Sequence, residues 1–149
     1  VSTNRAQSWA DDAHEVFDKA GYRRGAARAA IIDVLARQEC ALTAQEIEDE
    51  LRNGARSVGR ASIYRVLEML VQYGLAQRLE LAEGVTRYEP VDSAGEHHHH
   101  LVCRRCGRLA PFEDQGLEYS IDRLTERLNF EVDEHEVVLR GSCQYCANA

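Results

Sequence analysis

Two Cys-x-x-Cys pairs, Cys103/Cys106 and Cys143/Cys146, constrain this chain more than any other feature. A Cys-x-x-Cys turn makes two thiolates converge, and two such turns supply the four soft ligands of a closed tetrahedral zinc site. Roughly forty residues lie between the pairs, more than a compact zinc finger allows, so a small sheet and helix must fold between them. Redox motifs or disulfides are the alternatives. A redox pair belongs at a strand-to-helix junction in a larger apolar βαβ context, which the residues around Cys143 and Cys146 do not offer. The fifth cysteine, Cys40, is left over. An unpaired thiol suits a reducing cytoplasm better than a secreted disulfide framework, so a cytoplasmic location is expected.

The charge balance is informative through its distribution. A net charge of −7 argues at first against a nucleic-acid partner, yet residues 1–87 carry 12 Arg/Lys against 13 Asp/Glu while residues 88–149 carry 6 against 12. The acidity therefore belongs to the cysteine-bearing half. In the first half Arg52, Arg56, Arg60 and Arg65 follow one another with no acid between them, and Arg23, Arg24 and Arg28 form a second basic cluster. Such patches attract phosphate more than net charge does. Either cluster alone also fits a solvated helix surface. No apolar stretch is long or uncharged enough to span or target a membrane.

Apolar periodicity places helices at about Trp9–Ala20, Ala26–Arg37, Ala44–Arg52 and from Ser62 onward. The first carries Trp9, Ala13, Val16, Phe17 and Ala20 on one stripe. The third is announced by a capping box, Thr43 with Glu46, and by Leu42 and Ile47 at staple positions. The fourth buries Ile63, Val66, Leu67 and Leu70 and presents Tyr64 and Arg65 on its other face. Two short strands, Leu75–Leu81 and Val85–Glu89, flank the turn residues Glu83 and Gly84. Helices followed by a hairpin, with a polar, basic start to the last helix, describe a winged helix-turn-helix with Tyr64 and Arg65 free for a major groove. A half-buried core role is the alternative for Tyr64. Beyond residue 90 the pattern predicts a hinge at 91–96. Strands follow near Leu101–Cys103, Arg108–Phe112, Phe130–Val132 and Val137–Arg140, with a helix near Leu117–Asn129 that turns Leu117, Ile121, Leu124 and Leu128 inward.

Four histidines, His97 to His100, lead into the first cysteine pair. In an extended segment His97 and His99 point one way and His98 and His100 the other, so one strand can serve two metal sites. Each pair needs further ligands, and Glu89, Glu118 and His135 are the candidates. Imidazole accepts zinc, iron, nickel and manganese alike, so the ligands do not choose the ion. No nucleophile constellation accompanies them, and an enzyme is not expected.

These residues together resemble the ferric uptake regulator family of bacterial metal-dependent repressors. The resemblance runs from Gly21 to Cys146 and rests on Ala61–Leu67, Arg87-Tyr88-Glu89, His97 to Cys103, Cys106-Gly107, His135 and the Cys143/Cys146 pair. It implies an α+β fold, with a winged helix-turn-helix DNA-binding domain at 1–90, the hinge at 91–96, and an α/β dimerisation domain at 97–149 with a structural zinc site of four cysteines. By the same resemblance Tyr64 and Arg65 contact bases and backbone, Arg23 reaches the minor groove, and Arg28 lies on the phosphate side; Arg60 and Ser62, at the start of the helix that carries Tyr64, complete the expected DNA-binding set. Cys103, Cys106, Cys143 and Cys146 match the structural zinc ligands. Glu89, His98 and His100 match a regulatory hinge site, and His97, His99, Glu118 and His135 a second site in the dimerisation domain.

Departures from the family pattern bear on the hinge site. A histidine usual before the third helix is replaced by Ala41, beside Cys40, and an acidic residue common after the second cysteine is replaced by Pro111. The zinc-sensing branch places a cysteine where this chain has Val91, and the peroxide-sensing branch an aspartate where it has Glu89. Cys40 is thus either a thiolate ligand or a buried apolar thiol. The function expected is metal-responsive repression of metal-homeostasis genes by a homodimer on double-stranded operator DNA, with Fe2+ or Zn2+ regulatory, Mn2+ and Ni2+ also compatible, and no small organic substrate. Iron is preferred over a zinc-uptake or peroxide-responsive type, and a metal buffer that reads no DNA is the alternative from another class.

Overall fold

The computed structural model describes residues 3–82, 84–91 and 98–147. The chain divides into two compact units, Val1–Glu96 and His97–Ala149. His97 and the hinge residues beyond Val91 lie outside the described residues.

The first unit contains α1 (Thr3–Lys19), α2 (Ala26–Arg37), α3 (Ala44–Asn53), α4 (Arg60–Gln72) and the strands β1 (Ala76–Ala82) and β2 (Val85–Pro90). α1 starts earlier than the apolar stripe indicated. Its first residues carry no glycine or proline to stop a helix but also no apolar periodicity to reveal one. Ala20, expected on the buried stripe, is exposed, because the helix ends at Lys19 and Gly21 turns the chain at φ 82°. α2 is the central helix: Ala30, Ile31, Ile32, Val34, Leu35 and Ala36 are all buried, and it packs on α1, α3 and α4. Phe17, Ile47, Ile63, Leu67 and Leu70 close the core around it.

α3 begins where the capping box places it. Thr43 Oγ1 accepts from the Glu46 amide at 3.1 Å, and Glu46 Oε2 accepts from the Thr43 amide at 2.8 Å. β1 and β2 pair antiparallel from Ala76 opposite Pro90 to Ala82 opposite Val85. The segment before α3 then joins β2 through a bridge, with Leu42 and Tyr88 exchanging bonds of 2.9 and 2.7 Å. The wing is therefore tied to the entrance of α3. Arg87 reinforces the junction by donating to Ala41 O at 3.2 Å and to Glu46 Oε2 at 2.8 Å.

The second unit contains β3 (His99–Cys103), β4 (Leu109–Phe112), α5 (Gln115–Leu128), β5 (Val138–Gly141) and α6 (Gln144–Ala147). Its sheet has the order β4-β3-β5, with β4 antiparallel and β5 parallel to β3. The strand expected at 130–132 does not form. Asn129 takes the left-handed conformation (φ 49°) to cap α5, and Phe130 N–H bonds back to Thr125 O, so the segment turns off the helix as exposed coil. The inward stripe of α5 is also corrected: Leu117 and Ile121 are half-buried, whereas Leu124 and Leu128 are 43% and 63% exposed. A helical stripe is apolar wherever it is covered, and periodicity alone cannot say whether its own chain or a second one covers it.

Candidate metal centres and nucleic-acid face

The four cysteines converge within the second unit. Cys103 ends β3, Cys106 follows in the turn that Gly107 closes at φ 73°, Cys143 lies between β5 and α6, and Cys146 is on α6. Their sulfur atoms all lie within 4.8 Å of one another. A tetrahedron of thiolates at a Zn–S distance of about 2.3 Å has edges of about 3.8 Å, and Cys106 Sγ and Cys143 Sγ are 3.8 Å apart. The parallel pairing of β5 with β3 makes this convergence, since it brings Gly141 beside Cys103 and leaves the second cysteine turn beside the first. Backbone N–H groups of Cys143 and Cys106 hold the Cys103 thiol down to about 6. Contacts with the Cys143 and Cys106 sulfurs push Cys146 up to about 12. A cluster whose first thiolate forms readily and whose last does not is one that a divalent cation completes.

A second group forms from three of the residues expected at the dimerisation-domain site. Glu118, in the first turn of α5, faces His99 Nε2 through Oε1 at 2.7 Å and His135 Nε2 through Oε2 at 2.9 Å. His99 is buried, and the Val137 N–H donates to its Nδ1 at 3.2 Å, which fixes the ring with Nε2 toward the carboxylate. Two imidazole nitrogens sharing one carboxylate are a donor set that a borderline divalent cation fits. The fourth expected member, His97, lies outside the described residues.

The hinge set is divided between the units. In the first, Glu89 is buried on β2 and accepts from Gln77 Nε2 at 2.6 Å, while Cys40 is half-buried before α3. In the second, His100 is buried on β3 with Nδ1 3.3 Å from Glu136 Oε1, and its ring packs edge-on against that of His98 at 4.9 Å. Glu136 was not among the sequence candidates. The available signal was its place beside His135, two residues before the strand that pairs with the histidine run. Pro111 and Val91 bring no ligand atom.

On the first unit the basic stretch from Arg52 to Arg65 is mostly neutralised. Arg52 pairs with Glu48 and Asp49 at 3.2 Å, Arg56 with Asp33 at 3.6 Å and Arg60 with Glu48 at 2.7 Å, and Arg60 also donates to Gln45. The sequence showed no acid between these arginines because the acids come from α2 and α3. Arg24 is held by Asp18 at 2.8 Å, and Arg28 donates to the Arg23 carbonyl. Among the arginines of this unit whose side chains are described, the guanidinium groups of Arg23 and Arg65 alone make no ion pair or hydrogen bond. Tyr64 is 47% exposed on the first half of α4, so the core reading of this tyrosine is set aside, and Ser62 is half-buried beside it.

A sequence profile of the ferric uptake regulator family matches residues 19–140. The chain belongs to the ferric uptake regulator family. It is 35% identical over 105 residues to the ferric uptake regulation protein of Legionella pneumophila, covering 70% of this chain and 76% of that one. Over 115 residues it is 30% identical to that of Bacillus subtilis, covering 76% of each. Among solved structures, the Vibrio cholerae ferric uptake regulator superposes with a TM-score of 0.75 at 28% identity, over 87% of this chain and 98% of that one. The Helicobacter pylori ferric uptake regulator shares the fold at a TM-score of 0.82 and 24% identity, over 97% and 95%. As a member of this family the chain is a metal-responsive, dimeric, DNA-binding repressor and not an enzyme. Membership sets aside the buffer reading, and no described helix is long and apolar enough to cross a membrane. The cysteine cluster and the His/Glu cluster are consistent with the structural and regulatory metal sites of such a regulator.

Proposed function

We propose that this family member represses metal-homeostasis genes in the cytoplasm, reading a palindromic operator through Arg23, Tyr64 and Arg65, with iron as the preferred regulatory ion. The observation that carries the reading is electrostatic. Of the first-unit arginines whose side chains are described, all but Arg23 and Arg65 are tied up, and these two are among the residues that the family resemblance assigns to DNA. A guanidinium with no protein partner is available to phosphate or a base edge without breaking an ion pair. Arg60, fixed to Glu48, has a different task, namely holding the start of α4 on α3.

Cys103, Cys106, Cys143 and Cys146 hold structural zinc, which stabilises the second unit. Glu89, His98 and His100, with Cys40 as a thiolate fourth ligand, hold the regulatory cation; His97, His99, Glu118 and His135 form the second site. The hinge ligands come from both units. Side chains from two bodies that share one cation select the arrangement in which all of them reach it, by the difference in cation affinity between arrangements. Control of DNA binding follows from that selection.

Titration of operator DNA with metal-loaded dimer tests the reading. Arg65→Ala and Tyr64→Ala are each expected to weaken binding roughly 5- to 100-fold with zinc content unchanged, and full affinity in Arg65→Ala refutes this docking. His98→Ala combined with His100→Ala is expected to abolish metal-activated binding in a protein that stays dimeric. Repression that persists in metal-free wild type refutes the switch. Comparing iron, zinc, manganese and nickel in the same titration assigns the ion.

A further inference from the structure

We propose that Arg28 is a positioning residue that sets the pose of Arg23 and does not itself contact phosphate. The inference rests on the reading that Arg23 touches DNA. Arg28 leaves α2 toward the preceding loop, where its guanidinium carbon lies 4.8 Å above the ring of Phe17 and 5.7 Å from that of Tyr22. The three rings of Phe17, Tyr22 and Tyr73 meet edge to face, with centroids 5.5 to 6.1 Å apart. This cluster joins the end of α1, the loop and the end of α4, and Arg28 caps it. The same guanidinium donates through Nη2 to the backbone carbonyl of Arg23.

The loop is thereby fixed on both sides of Arg23. Tyr22 is held by its ring contacts and by its N–H, which bonds to Phe17 O at 3.0 Å, and Arg24 is held by Asp18 Oδ2 at 2.8 Å. Between them the Arg23 main chain is pinned by Arg28, while its side chain is unpaired. For Arg28 to reach a phosphate it would have to leave two aromatic faces and drop that carbonyl. A planar guanidinium can stack on rings and donate in its own plane at once, which a lysine ammonium cannot do. Lysine does, however, keep the point charge that a phosphate contact needs. The two roles therefore respond differently to Arg28→Lys.

Metal-loaded, full-length dimer is titrated with operator DNA at several salt concentrations, as wild type, Arg23→Ala, Arg28→Lys, the double variant and Tyr22→Leu. Arg23→Ala is expected to weaken binding about ten-fold and to lower the salt slope by about one. Arg28→Lys should do nearly the same although its charge is kept, and the double variant should bind no more weakly than Arg23→Ala alone. Tyr22→Leu, which removes one ring under Arg28 and no charge, should lose affinity in the same direction. A lowered salt slope in a variant that keeps its charge, with the melting temperature followed alongside, is a change that general loosening of the fold does not produce. Wild-type binding by Arg28→Lys overturns the proposal, as does a double variant whose loss is the product of the two single losses. Wild-type binding by Arg23→Ala overturns the underlying reading of Arg23 and the proposal with it.

Discussion

The first unit buries Phe17, Ile31, Ile32, Leu35, Ile47, Ile63, Leu67 and Leu70 almost completely, whereas the buried described residues of the second are Val102, Cys103, His99 and His100. Two bodies of one chain thus reach order by different routes. Apolar area removed from water stabilises the first, at roughly 25 cal/mol per Å². The second has a three-stranded sheet with one amphipathic helix whose apolar residues its own chain leaves half-buried or exposed, and its four cysteines, and His99 with Glu118 and His135, gather as sets that a cation would tie together. Order that depends on a ligand can be lost with that ligand; order that depends on a core cannot.

The largest expected effect separates the two routes directly. Stripping the structural metal with a chelator, or Cys143→Ser, should remove stabilisation on the order of 10 kcal/mol from the second unit. Circular dichroism should then show loss of α5 and gel filtration loss of the dimer, while the first unit keeps its own melting transition. A metal-free second unit that still melts cooperatively would break the comparison. Next in size, Leu67→Ala opens a cavity between α4 and α2 and should lower the denaturant stability of the first unit by about 2–5 kcal/mol, with the zinc content of the protein unaltered. Smallest, Thr43→Ala removes one half of the capping box and should cost about 1 kcal/mol in the same titration. A much larger loss would show that the Arg87–Glu46 contact at the wing depends on that cap.

How much of this was legible in the sequence follows the same division. In the first unit periodicity gave α2 its observed bounds, and the capping box gave the start of α3, because local chemistry and tertiary packing agree there. The cysteine pairs were legible as a cluster from spacing alone. In the second unit the strand at 130–132 and the inward face of α5 were misplaced, since Phe130, Val132, Leu124 and Leu128 are apolar without being covered by their own chain. The ion pairs on α3 and α4 were hidden for another reason: Glu48 lies 12 residues from Arg60 in sequence and meets it only in the folded helical pair. A basic stretch in a sequence is therefore an upper bound on the positive surface the fold presents.

One bond in the first unit also carries a practical consequence. The carbonyl of Leu75 accepts from the indole Nε1 of Trp9 at 2.9 Å and from the amide of Val91 at 2.9 Å. Trp9 is the single tryptophan of the chain, and Val91 is the point at which the chain leaves the wing. The molecule thus has a native fluorophore bonded to the atom that anchors its exit strand, so a change in emission on adding metal would register a pull on that strand without any introduced label.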